Sequence, residues 1–420
     1  MSGMEKIKIR GGTPLHGEIT VGGAKNAVLP AMFACLLTDG ECQVGNIPSL
    51  RDIDSAGQVL RAMGATCEIK NGTATICARE LHTCEAPYKL VKTMRASILA
   101  LGPLLARFGS ARVSLPGGCA IGARPVDMHL RGLRRMGATI KMEGGNIVAR
   151  AKRLRGARIV LPKPTVTGSE NLMMAAVLAE GETIIENAAR EPEIADLASF
   201  LNAMGARIEG ADTGVLHIHG VSSLHGATHD APPDRIEAGT YLCAVAACGG
   251  DAVLRGANTC LMGDVLEKFT AAGAQITAEN DGLRIVMTRR PLSVDADTAP
   301  YPGFPTDMQA QWMAVNCVAE GTATIVENIF ENRFMHVPEL IRAGADIKLR
   351  RNAASVRGVE RLSGAPMMAT DLRASASLIV AALAAEGESV IDRIYHLDRG
   401  YDNLVGNLCS LGADAKRIPA

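Results

Sequence analysis

One of the eleven cysteines stands in a setting that the other ten do not share. The segment Leu115-Pro116-Gly117-Gly118-Cys119-Ala120-Ile121-Gly122-Ala123-Arg124-Pro125 places three glycines and two prolines around a single thiol, the composition of a loop rather than of a packed core. A free thiol titrates at roughly 8.5, and the nearby Arg124, His129 and a helix start suited by Pro125 are expected to favour the thiolate. Cys119 is therefore the candidate reactive thiol. No Cys-His-Asn arrangement accompanies it, which argues against amide hydrolysis. Most of the cysteines lie in apolar surroundings and read as small buried hydrophobes, and the odd count without a C-x-x-C pair argues against a disulfide framework or a zinc ribbon.

A second group of chemically able residues is defined by position. Lys25, Arg95, Glu170, Arg235, Asp307 and Arg373 fall at the start of strongly apolar helical segments, and Arg124, Glu191, Arg333 and Arg399 at the start of amphipathic ones. Helix N-termini present unpaired N–H groups and a partial positive charge. With Lys25, Arg95, Arg124, Arg333, Arg373 and Arg399 added, they would build a cationic cleft suited to a small polyanion.

The elements that must position these residues repeat six times. An apolar residue, Gly-Ala and an alternating strand recur at Gly64, Gly137, Gly205, Gly273, Gly344 and Gly412, spaced by 73, 68, 68, 71 and 68 residues. A second marker, a strongly apolar helix ending in glycine before a strand, recurs at Gly40, Gly109, Gly181, Gly250, Gly321 and Gly387. At each of these a left-handed helix cap is expected. Each unit reads helix, strand, helix, strand, strand, the first helix buried and the second on the outside. Ser49 with Asp52, Asp234 with Glu237 and Thr306 with Gln309 have N-cap spacing, and Pro192 suits a first helical turn.

A Gly-, Ser-, His- and Pro-rich stretch from His217 to Ala238 separates three units from three, so two α/β domains are expected: residues 1–23 with 234–420, and 24–233. The strand-like Lys6 to Arg10 is read as completing the last unit. Lys plus Arg and Asp plus Glu both number 44, so no global field draws the chain to nucleic acid or an anionic membrane. With no apolar leader and no run long enough for a span, a cytoplasmic protein is expected. His217 and His219 alternate on a strand without a third ligand in reach, so no metal site is read there. Met173, Met174 and Trp312 read as packing.

The runs Gly23-Ala24-Lys25-Asn26-Ala27, Leu115 to Asp127, Glu186 to Glu193, Phe304 to Gln309, Glu331 to His336 and Asp398 to Tyr401 span nearly the whole chain. Together they resemble UDP-N-acetylglucosamine 1-carboxyvinyltransferases, the MurA family of enolpyruvyl transferases. The resemblance implies a pair of inside-out α/β barrels with the active site in the cleft between them. It implies transfer of the enolpyruvyl group of phosphoenolpyruvate to the 3-hydroxyl of UDP-N-acetylglucosamine with release of phosphate, the first committed step of peptidoglycan synthesis, without metal or cofactor. Lys25, Asn26, Arg124, Arg333, Arg373 and Arg399 would hold phosphoenolpyruvate. Arg95, Arg124, Pro125, Val126, Asp127, Met128, Lys163, Pro164, Thr165, Val166, Asp307 and Ile329 would contact the UDP-sugar. Catalysis would fall to Asp307 as base, Cys119 as acid toward C3, and Lys25 and Arg399. The segment Lys163 to Ser169 departs from the family's usual wording, and Met128 stands where Leu is common.

Three other readings compete. 5-Enolpyruvylshikimate-3-phosphate synthase shares the donor but places no thiol in a Pro-Gly-Gly-Cys loop. An RNA 3'-terminal phosphate cyclase is opposed by zero net charge and 3% aromatics. A non-catalytic repeat scaffold has no use for a glycine-rich cysteine loop beside an arginine. Fosfomycin, an epoxide that alkylates the family's thiol, is expected to inactivate the protein with its added mass on Cys119, and Cys119→Asp to confer resistance. Mass spectrometry of the inactivated protein checks this, and label on another cysteine counts against it.

Overall fold

The computed structural model describes residues 5–91, 94–115 and 126–419. Cys119, Arg124 and Pro125, three of the site residues expected from the sequence, lie outside these. Residue contacts divide the chain into two compact units, one built from residues 5–22 and 233–419 and the other from 23–115 and 126–232.

Among the described residues the strands form six four-stranded sheets, all built by one rule. In the second unit, the short strand Glu85–Ala86 is followed by the buried helix Leu101–Phe108 and the strand Ser110–Ser114, which pairs parallel to the first. The outer helix Asp127–Arg135 and the hairpin Thr139–Glu143 with Asn146–Arg150 follow, and the second hairpin strand pairs antiparallel with Ser110–Ser114. A parallel pair needs a crossover and a hairpin needs only a turn, so this order lets three of the six sheets grow from a continuous stretch of chain. The unit therefore has one strand more than the sequence pattern shows. Glu85–Ala86 and Ala296–Asp297 are two residues long, too short to display alternation.

The other three sheets are completed from a distance. Thr228–Asp230, at the end of the second unit, pairs parallel with Glu41–Gly45 near its beginning. In the first unit Glu5–Arg10 inserts between Glu388–Asp392 and Asp414–Pro419, and Leu15–Thr20 pairs parallel with Gly250–Arg255. Ile7 and Ile9 are fully buried by that insertion. Each unit thus closes three modules upon themselves.

The helices lie inside and the sheets outside. Every residue of Gln309–Cys317 is buried, as are Arg373 to Leu383 in Leu372–Ala384. Outer helices bury one face only, as Arg51–Met63 does with Ile53, Ala56, Val59, Leu60 and Met63. Trp312 packs edge-on against Phe269 and donates its indole N–H to Val294 O at 3.0 Å.

The caps divide by what their side chains find. Asp234 accepts from the N–H groups of Ile236 and Glu237, and Pro192 opens Pro192–Ala203. The residue at the cap of Arg51–Met63 is Leu50 rather than Ser49, and Thr306 is drawn away from its helix by a buried carboxylate. All six Gly-Ala glycines have positive φ, as do five glycines of the second marker. Gly40 is the exception, because the Thr38 hydroxyl accepts its N–H at 3.0 Å and turns the chain instead.

Glycines here serve two different needs. At Gly344, φ is +94° with nothing within 4 Å of an added Cβ, whereas at Gly358 a Cβ would lie 1.7 Å from Ala319 O. Gly344→Ala is expected to cost about 1–2 kcal/mol for the left-handed backbone. Gly358→Ala, which must displace main chain, should cost about 3 kcal/mol or more. Chemical unfolding of both variants reads the order directly.

Candidate active site

The first unit gathers the starts of its three buried helices into one polar cluster. A 3₁₀ turn, Thr306–Met308, leads into Gln309–Cys317 and leaves the Asp307 side chain 28% exposed. Its Oδ1 accepts from Arg333 Nη2 at 2.7 Å and its Oδ2 from Arg373 Nη2 at 2.9 Å. Both arginines are only 4% exposed. Arg373 Nη1 donates to the Tyr401 hydroxyl at 3.0 Å, which lies 2.9 Å from Thr240 Oγ1 and accepts from Gln311 Nε2 at 3.2 Å. Gln311 also donates to the Asp307 carbonyl at 3.0 Å. Thr240, Gln311 and Arg373 belong to Arg235–Cys248, Gln309–Cys317 and Leu372–Ala384, so a single network ties all three inner helices together.

Charge decides how this cluster behaves. Burial pushes the Asp307 carboxyl up, but Arg373 and Arg333 outweigh it and hold the group well below the usual carboxylate range. Burial likewise weakens the charge on Arg373, yet Asp307 and Tyr401 keep it firmly cationic. The Nε atoms of Arg333 and Arg373 are buried donors with no acceptor among the described residues. Behind Arg333, burial drives His336 down to about 4, leaving it neutral near pH 7.

Other expected residues of the first unit fall close by in the chain. Arg399 ends the 3₁₀ turn Ile394–Arg399, half exposed, and its charge acts on His396. Arg333 and Arg399 lie in the turns before Val337–Arg342 and Leu404–Ser410 rather than inside them. The main-chain N–H of Ile329 donates to Glu327 Oε1 at 2.9 Å. Glu327 and Thr298 were not singled out by the sequence, although Glu327-Asn328 echoes Glu186-Asn187 at the same place in an earlier module.

The second unit holds the remaining candidates. Lys25 opens Lys25–Ala34 and meets Asp52 Oδ2 at 3.2 Å, while Asn26 is exposed. Arg95 opens the 3₁₀ segment Arg95–Ala100. Asp127 pairs with Arg131 at 3.1 Å, Val126 is half-buried, and Met128 is packed in the core. Lys163 and Pro164 are exposed, Val166 is half-buried, and Thr165 caps Val166–Ala176 by accepting from Gly168 N.

One expectation about charge changes here. His129 is buried, lies 3.0 Å from Asn171 Nδ2, and is driven down to about 4, so it is neutral near pH 7 and supplies no cationic field. Burial, with Glu193 and Glu191 nearby, pushes the Glu170 carboxyl well up. Asn171 also accepts from Gly102 N at 2.6 Å and donates to Ile98 O at 3.1 Å, linking three helical segments. His217 and His219 both face Glu182 at the surface, at 3.3 and 3.7 Å.

The family model for EPSP synthase (3-phosphoshikimate 1-carboxyvinyltransferase) matches residues 9–408. The chain belongs to this family. Its fold is similar to that of the enolpyruvyl transferase NikO from Streptomyces tendae, with a TM-score of 0.90 and 26% identity over 100% of both chains. Two EPSP synthase structures from Acinetobacter baumannii share the fold. One has a TM-score of 0.78 at 19% identity, covering 99% of this chain and 100% of that one. The other has 0.77 at 19%, covering 98% and 99%. The two-unit, six-module α/β fold is thus that of enolpyruvyl transferases, and the protein is a transferase. Among the described residues no helix is long and apolar enough to cross a membrane.

His129 and His336 make stability depend on pH in a definite direction. Unfolded histidines titrate near 6.5, whereas these two resist protonation until about 4. Their contribution is complete above the unfolded value and is lost as pH falls from about 6.5 toward about 4. Stability measured by denaturant across that window should fall, and a His129→Asn variant should show a shallower slope.

Proposed function

We propose that the protein transfers the enolpyruvyl group of phosphoenolpyruvate to the 3-hydroxyl of UDP-N-acetylglucosamine, releasing phosphate. This is the reaction that commits sugar nucleotide to peptidoglycan and that fosfomycin blocks. The reading is carried by the Asp307 cluster, one carboxylate held between two buried guanidiniums whose Nε donors remain unanswered among the described residues. A phosphate or carboxylate supplies acceptors for such donors, and a carboxylate beside them can take a hydroxyl proton. The Pro-Gly-Gly-Cys segment around Cys119 favours this acceptor over shikimate 3-phosphate.

The reaction proceeds by addition and elimination. The sugar oxygen bonds to C2 of phosphoenolpyruvate while the Cys119 thiol protonates C3, and Asp307 receives the hydroxyl proton. The tetrahedral ketal then breaks its C2–O bond to phosphate, C3 returns its proton to the thiolate, and the Asp307 proton leaves with the phosphate. Asp307 between two guanidiniums is a weak base. Anionic substrate that draws on Arg333 and Arg373 lessens their hold and strengthens it. Lys25, Asn26, Arg124 and Arg399 complete the phosphoenolpyruvate contacts. Arg95, Val126, Asp127, the main chain of Met128, Lys163 to Val166 and Ile329 serve the nucleotide-sugar. Guanidiniums over the leaving group stabilise charge as it develops.

Phosphate release from phosphoenolpyruvate should require UDP-N-acetylglucosamine, and shikimate 3-phosphate should not replace it. The opposite preference would establish the EPSP synthase reaction instead. Arg399→Ala should lower turnover by about a hundredfold with little change in melting temperature, and unchanged turnover would remove Arg399 from the site.

A further inference from the structure

Glu327 is 3% exposed, and five hydrogen bonds converge on its carboxylate. Oε1 accepts from the hydroxyls of Thr298 and Thr306, each at 3.0 Å, and from the main-chain N–H groups of Ile329 at 2.9 Å and Phe330 at 3.1 Å. Oε2 accepts from Thr306 at 2.9 Å. Its own main chain is fastened by Asn352, whose carbonyl accepts Glu327 N at 2.8 Å. Only a carboxylate answers so many donors without offering one of its own.

The Thr306 contact has a directional consequence. A threonine hydroxyl carries one hydrogen, and Glu327 takes it from either oxygen, so a lone pair is what Thr306 presents on its other side. Arg333 Nη1 donates to that lone pair at 3.1 Å while its Nη2 donates to Asp307 at 2.7 Å. The guanidinium is rigid and planar, so fixing one arm aims the other. A hydroxyl free to rotate would sometimes point its hydrogen at Arg333 and repel it.

We propose that Glu327 is a positioning residue: by orienting the Thr306 hydroxyl it locks the Arg333 fork onto Asp307, and by holding Ile329 and Phe330 it sets the main chain beside them. The fork is aimed whether or not substrate is present. Its effect on turnover rests on Asp307 being the reacting carboxylate. The charged groups facing Asp307 are Arg333 and Arg373, with Tyr401 and Asp234 acting on Arg373, and the neutral His336 beside Arg333 with Asp371 acting on that imidazole.

Thr306→Val, Thr306→Ser and Glu327→Gln test this in the full chain. Carbon-13 titration of the Asp307 carboxyl, assigned against Asp307→Asn, should place its midpoint higher in Thr306→Val than in the parent. Thr306→Ser, which keeps the hydroxyl, should match the parent. That measurement uses no substrate, so it judges the aiming of Arg333 even if the acceptor is misassigned. With the acceptor the parent enzyme uses, Thr306→Val and Glu327→Gln should lose about tenfold or more in kcat, Thr306→Ser about threefold or less, and the acidic limb of kcat should move to higher pH in Thr306→Val. An unmoved Asp307 midpoint in folded Thr306→Val overturns the proposal. So does a Thr306→Ser variant as impaired as Thr306→Val, which would mark the position as merely structural.

Discussion

Two guanidiniums almost wholly removed from water stay charged in the first unit because one carboxylate answers both. Stripping Arg333 and Arg373 of water without Asp307 would be prohibitive, since removing the carboxylate leaves two buried positive charges facing each other, and breaking a buried pair costs about 3–5 kcal/mol in comparable sites. This constraint reaches outward. It obliges the 3₁₀ turn at Thr306–Met308, the first turn of Leu372–Ala384 and the segment before Val337–Arg342 to meet. Tyr401, Gln311 and Thr240 extend the same requirement to the third inner helix.

The module explains why such a meeting is possible. Leu101–Phe108, Val166–Ala176, Gln309–Cys317 and Leu372–Ala384 each cross between two parallel strands of one sheet, which fixes the end at which they begin. Helix N-termini, with N–H groups unmatched by the helix itself, are therefore brought together by topology before any side chain is considered. Strands from remote parts of the chain complete the sheets: Glu5–Arg10 fills an interior place and Leu15–Thr20 an edge in one unit, and Thr228–Asp230 fills an edge in the other.

The two units use that shared plan with different chemistry. The first gathers permanent charge, an aspartate locked ionised and arginines locked cationic. Where the second joins its helices it uses a neutral imidazole and an amide, His129 and Asn171, and burial pushes the Glu170 carboxyl up. Neutral groups tolerate burial without a counter-charge, which is why this junction needs no ion pair. Lys25 and Asp52 supply an ion pair at the edge of that unit, their side chains 12% and 8% exposed.

The sequence by itself determined the sixfold beat, the α/β class, the burial of the first helices and the chemistry available at Asp307, Arg333 and Arg373. These follow from local rules: glycine where φ is positive, apolar residues at helical period, charges at helix starts. What it could not determine were contacts made across the fold. The two-residue strands at Glu85–Ala86 and Ala296–Asp297 exist only because a parallel neighbour holds them. Thr306 has the spacing of a cap, but its hydroxyl donates to Glu327, twenty-one residues on, and accepts from the Arg333 guanidinium, a charged donor, instead of from a backbone N–H. His129 reads as a cation and is neutral, since its charge depends on water that packing takes away. Periodicity and turn chemistry are written in neighbouring residues; protonation and hydrogen-bond direction depend on what the finished fold places around each group.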